Sequence, residues 1–159
     1  MSTSAPVLTD RTTEQPVAIR AHGTAVKRLG HWTDRREFDV RTSRGTVVMD
    51  LRSPRIAAGD IEIRLDADHA IVKLLVSDGA VVEHGDVRRV GRGRVKDWTG
   101  TAAADGRRIM LTGELRNAEV RVHRGGIAIL SAMCSREYLA DARQARREGR
   151  FPTIDDPTR

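Results

Sequence analysis

Two short runs of this 159-residue sequence gather side chains of the kind that do chemistry. Asp66-Ala67-Asp68-His69 is the densest group of metal-ligand types. A metal centre requires three or four converging donors and an outer layer that orients them. Asp66 and Asp68 share a strand face, but a turn at Ala67-Asp68 accounts for the same residues without a metal. Gly91-Arg92-Gly93-Arg94-Val95-Lys96 has the outline of a phosphate loop. It lacks the Gly-Lys-Ser/Thr ending, and no helical pattern follows to supply a dipole. A glycine corner between strands explains it. What survives is charge: Arg88, Arg89, Arg92, Arg94 and Lys96 put five cations in nine positions. Arg143, Arg146, Arg147 and Arg150 form a second basic group, and the two groups together are the candidate polyanion-binding residues.

Other reactive types are scattered. His22, His31, His84 and His123 stand singly, without the spacing of a ligand pair, and read as surface or rim residues. Cys134 has no activating neighbour and reads as a small buried hydrophobe. No serine or cysteine lies in a nucleophile elbow. The carboxylates alternate outward along strands, as on a solvated surface. The expectation is a protein that is not an enzyme and that holds no cofactor and no metal.

Composition limits the partners. Lys+Arg is 28 against Asp+Glu 22, a net charge of +6, yet only Lys27, Lys73 and Lys96 are lysines. Such an arginine bias follows from a GC-rich genome as readily as from phosphate binding, and +6 gives a modest pull toward polyanions. A single cysteine excludes an intrachain disulfide. No window approaches the ~18 apolar residues of a membrane span. The start lacks the pattern of a secretory signal, so a cytoplasmic location is expected.

The elements that must position these groups are strands. Alternation in Thr46–Arg52, Asp60–Asp66, Arg108–Thr112 and Glu119–His123 marks strands with one buried and one wet face. Ile71–Val76 is apolar at nearly every step, and Gly126–Leu130 closes the series. Glycine and Asp/Asn punctuate the runs. The reading is mainly β, about eight to ten strands, with Val47, Met49, Leu51, Ile61, Ile63, Leu65, Val72, Leu74, Val76, Ile109, Leu111, Val120, Val122, Ile127 and Ile129 in the core. Aromatic residues are 3% of the chain, which suits a narrow interior. A β-solenoid is therefore favoured, with a β-sandwich as the alternative, although no fixed period holds for three copies. From Ser135 the pattern becomes one helix, capped by Ser135 and stopped by Gly149. The organisation expected is a disordered N-terminal tail over 1–20, a β domain over 21–133, a helix over 134–150 and a flexible tail over 151–159.

The chain resembles a set of small actinobacterial proteins of unknown function. The resemblance rests on Val48-Met49-Asp50-Leu51-Arg52-Ser53-Pro54, Asp68–Val76, Gly91–Asp97, Val122-His123-Arg124-Gly125-Gly126 and Arg147–Pro157. More weakly, the β region is similar to the C-terminal domains of LiaF-type proteins of the cell-wall-antibiotic response. That similarity implies a β-solenoid-like fold and brings no catalytic residues.

An open solenoid leaves unpaired edges at its ends, which must be capped or paired. The function expected is thus a non-enzymatic binding or assembly module, an adaptor or a self-associating unit, with a protein partner or a second copy engaged. The terminal helix and the N-terminal segment are the candidate caps. The alternative is a weak binder of nucleic acid or an anionic membrane surface through the arginine-rich groups.

Overall fold

The computed structural model describes residues 15–97 and 106–158. Ten strands run in chain order: β1 (Val17–His22), β2 (Ala25–Arg28), β3 (Glu37–Ser43), β4 (Thr46–Asp50), β5 (Ile61–Asp68), β6 (Ile71–Val76), β7 (Val81–Val90), β8 (Arg94–Asp97), β9 (Arg108–Arg116) and β10 (Glu119–Arg124). Helices α1 (Gly125–Met133) and α2 (Arg136–Glu148) follow. Consecutive strands alternate between two five-stranded sheets, ordered β1-β3-β5-β9-β7 and β2-β4-β6-β10-β8. Every pairing whose register is given is parallel. The result is a β-solenoid, each rung one strand from each sheet, and the sandwich alternative falls away because a coiling chain is what stacks parallel strands.

Inward side chains stack from rung to rung. In the second sheet the register aligns Val26, Val47, Val72, Val120 and Val95 in one valine ladder. Branched chains fill most of a pleated, narrow interior. The core joins this row to Ile19, Phe38, Val40, Ile61, Ile63, Leu65, Ile109 and Leu111. Thirteen of the fifteen expected core residues are buried; Ile127 is 57% exposed and Ile129 is half-buried.

Those two misplacements have one cause. Gly126–Leu130 is helix, not the last strand, so there are two helices where one was expected. Gly125, at φ 52, pivots the chain out of β10, and Ala128 and Ala132, one turn apart, then pack on Val48 and Leu75 of the second sheet's outer face. Helix α2 has its expected caps. The Ser135 hydroxyl accepts from the Tyr138 N–H, and Gly149 at φ 67 takes the left-handed turn.

The ends of the chain differ from their expected boundaries. The disordered stretch assigned to 1–20 lies outside the described residues as far as 14, but Val17–Arg20 belongs to β1. The segment after Phe151 makes specific contacts with both helices. The Asp141 carboxylate accepts from the Thr153 and Ile154 N–H groups at 2.8 and 3.2 Å, Ile154 packs beneath α1, and Asp155 is buried.

Candidate functional site: the solenoid ends and the cationic face

Each rung turns from the first sheet to the second through a tight corner. Arg44, His69 and Asn117 hold positive φ there, as Gly23 and Gly91 do in the end rungs. The hydrogen-bond ladder continues through the corners, from Gly23 N–H to Ser43 O, Arg44 to Asp68, His69 to Arg116 and Asn117 to Val90. The run at Asp66–His69 is one of these corners. Asp66 pairs with Arg116 at 2.8 Å, and Asp68 meets the ring of His69 at 2.6 Å. No group of three or more His, Cys, Asp or Glu side chains converges as a metal site among the described residues. Gly91-Arg92-Gly93 is likewise a corner, with the Arg92 N–H donating to the Asn117 side chain at 3.0 Å.

The first basic group divides on inspection. Arg94 and Lys96 point outward from β8 and, with Arg121, surround the buried Glu119 at 2.7, 3.4 and 2.6 Å. The Arg121 hydrogen bond, then those of Arg94 and Lys96, outweigh burial and hold the Glu119 carboxyl at about 2. Arg88 approaches Glu114 at 3.8 Å. Arg89 sits opposite Leu115 in the register, a core-facing position, and at the open end of the stack its guanidinium instead reaches His84 at 2.6 Å. In the second group Arg150 is held by Asp141 and Glu148 at 3.0 and 2.7 Å. Arg143, Arg146 and Arg147 are exposed along α2, which packs on α1. The two groups therefore occupy different elements, an end rung and a helix laid outside the sheet.

Three arrangements were not read from the sequence. The first is a row of cations. The register aligns Lys27, Val48, Lys73, Arg121 and Lys96 across the outer face of the second sheet, so all three lysines share one lateral row. Their positions in sequence give no hint of it; only the register brings them together. The second is a pair of buried salt bridges. Arg52 grips Asp50 through two hydrogen bonds of 2.9 Å and donates to the carbonyls of Ile154 and Asp155. Arg124 grips Asp97 at 2.9 and 2.8 Å and donates to the carbonyl of Ala80. The third is a difference between the two ends. β1 pairs with β3 in unbroken register over its whole length, whereas β7 carries a bulge between Glu83 and Asp86.

Cys134 is exposed at the end of α1, not buried as expected. The helices lie on the side of the stack, α1 against β10 and β6, rather than across an end. No helix among the described residues is long and apolar enough to cross a membrane. No family model, curated protein or solved structure matches this chain.

Proposed function

We propose that the protein is a non-enzymatic assembly module, a short solenoid that joins a second copy head to head through the β1 end. The observation that carries this reading is the contrast between the edges. β7 has three features that discourage strand addition: a bulge, Arg89 at a core-facing position, and Glu83, Asp86 and Arg88 along its exposed length. β1 has six residues in straight register, no bulge, no proline within it and one formal charge, Arg20, which is engaged by Asp39 at 3.3 Å. A regular edge of this kind templates another strand. Joining β1 to the β7 end of the next molecule would build an open filament, and β7 is shaped against that. Joining β1 to β1 closes a two-fold dimer in which the same patch serves both copies.

In an antiparallel pair centred on Arg20, Ala18 of one copy faces His22 of the other, and each Arg20, drawn toward Asp39 of its own chain, faces its counterpart. The double variant Ala18→Lys/His22→Lys sets lysines against each other at both places. Both side chains are exposed, so the fold tolerates the change. Sedimentation velocity should find a dimer for the unaltered chain and a folded monomer for the variant, whose melting temperature matches that of the unaltered chain at concentrations too low for the dimer. A monomeric unaltered chain at high micromolar concentration overturns the reading.

A further inference from the structure

Val90 apart, the exposed large apolar side chains of the described residues all lie in the helical layer: Ile127, Leu130 and Met133 on α1, Leu139 on α2, and Phe151 beyond it. Ile127 is 57% and Leu130 63% exposed. Three residues apart, they project from the same side of a helix whose Ala128 and Ala132 are turned to the sheet. Apolar side chains grouped in this way on a stable domain mark a surface that meets something.

The lysine row runs beside them. Lys27, Val48, Lys73, His123, Ile127 and Leu130 line one groove of about 370 Å³ between α1 and the second sheet. Lys27 and Lys73 lie two strands apart, about 10 Å at the usual strand spacing, and neither has an acidic partner among the described residues. The buried Nδ1 of His123 lacks a hydrogen-bond partner among them too. The groove thus sets cations on one wall and apolar side chains on the other. The opposite face of the solenoid is mixed in charge, its acids interleaved with arginines such as Arg20, Arg108 and Arg116 that pair with Asp39, Glu83 and Asp66.

We propose that the α1 face docks on the surface of an anionic phospholipid bilayer, with Ile127 and Leu130 entering the acyl boundary and Lys27 and Lys73 holding headgroup phosphates. A partner for this face must be negative and apolar within one side chain's reach, which describes a lipid interface. A nucleic acid has no use for Ile127 and Leu130, and among the described residues no aromatic ring lines the groove for stacking bases. The proposal shares no residue with the β1 edge, and it stands or falls separately from self-association, which is read without lipid.

The test is co-sedimentation of the full chain with vesicles of phosphatidylglycerol and phosphatidylcholine, and with phosphatidylcholine vesicles alone. Uptake should require the anionic lipid and fall as salt rises. Lys27→Gln/Lys73→Gln should weaken it about thirtyfold, and Ile127→Ser/Leu130→Ser should weaken it at least as much. Arg41→Gln, on the opposite face, should leave it unchanged. Thermal melting of each variant confirms that it is folded. Equal uptake by both vesicle types, or uptake indifferent to both double variants, overturns the proposal. Retention of duplex DNA without uptake by anionic vesicles overturns it in favour of nucleic acid. A change in oligomer size for Ile127→Ser/Leu130→Ser, without vesicle uptake by the unaltered chain, overturns it in favour of a contact between copies.

Discussion

The β1 end and the β7 end of the solenoid are built from similar strands in different ways. From β1 to β6 the chain lays rungs down in order, each beside the last. It then crosses to the far position, forms β7 and β8, and returns so that β9 and β10 fill the gap. β7 touches the rest of its sheet only through β9, a strand that comes later in the chain. The difference teaches that a regular fold need not have equivalent ends. The ordered half finishes in a straight edge, and the interleaved half concentrates the bulge, the misaligned register and the close backbone approach.

The sharpest way to break the interleaved half is Gly113→Ala. Gly113 lies between Leu65 and Val87 in the register, at φ 102, and an added Cβ would come within 1.9 Å of the Leu65 carbonyl oxygen. Backbone cannot yield as a side-chain tip can. The substitution should cost about 4 kcal/mol in urea unfolding. Hydrogen exchange should show the loss first in β7 and β9, with β1 to β4 the most protected.

Next in size is a comparison of the two buried ion pairs. Arg124→Met leaves Asp97 without its guanidinium and the Ala80 carbonyl without its donor, at a cost of about 3–5 kcal/mol. Arg52→Met should cost less, because Asp50 keeps the N–H groups of Gly30 and residue 52. Its effect should fall on the C-terminal segment, seen as faster proteolysis after Phe151.

Glu119 gives a smaller effect with a pH signature. Its folded carboxyl titrates at about 2 against an ordinary 4.5, so the folded state holds fewer protons between those values. The stabilisation is complete above about pH 4.5 and disappears as pH falls toward 2. Glu119→Gln should therefore cost on the order of 2 kcal/mol at pH 7, allowing for the exposure of Arg94. The variant and the unaltered chain should converge in stability near pH 2.

The smallest change is a gain in the ordered half. The Thr42 hydroxyl is buried in the core with no partner among the described residues, and Thr42→Val should raise stability by about 1 kcal/mol.

Much of this architecture was legible because strand alternation is a local signal. Ile61, Ile63 and Leu65 declare their face within one strand. The repeat was not legible, because the tight corners at Gly23, Arg44 and His69 are followed by returns of unequal length, at 29–36, 51–60 and 77–80. α1 was misread because Gly126–Leu130 satisfies period two in composition, while the Ala128–Ala132 spacing that betrays a helix extends past the run. Among the candidate residues, Arg88, Arg94 and Lys96 are ion-paired with acids on neighbouring strands, and Arg150 with Asp141 and Glu148 of α2. Charge density along a sequence does not reveal partners brought in by register.

The central claim is that the two ends behave differently toward a second copy. Amide hydrogen exchange of the full chain, followed as concentration rises from low to high micromolar, tests it most directly. The account predicts that protection of Val17–His22 increases with concentration while that of Val81–Val90 does not change. Equal and concentration-independent exchange at both ends, or protection gained at β7 in place of β1, would contradict it.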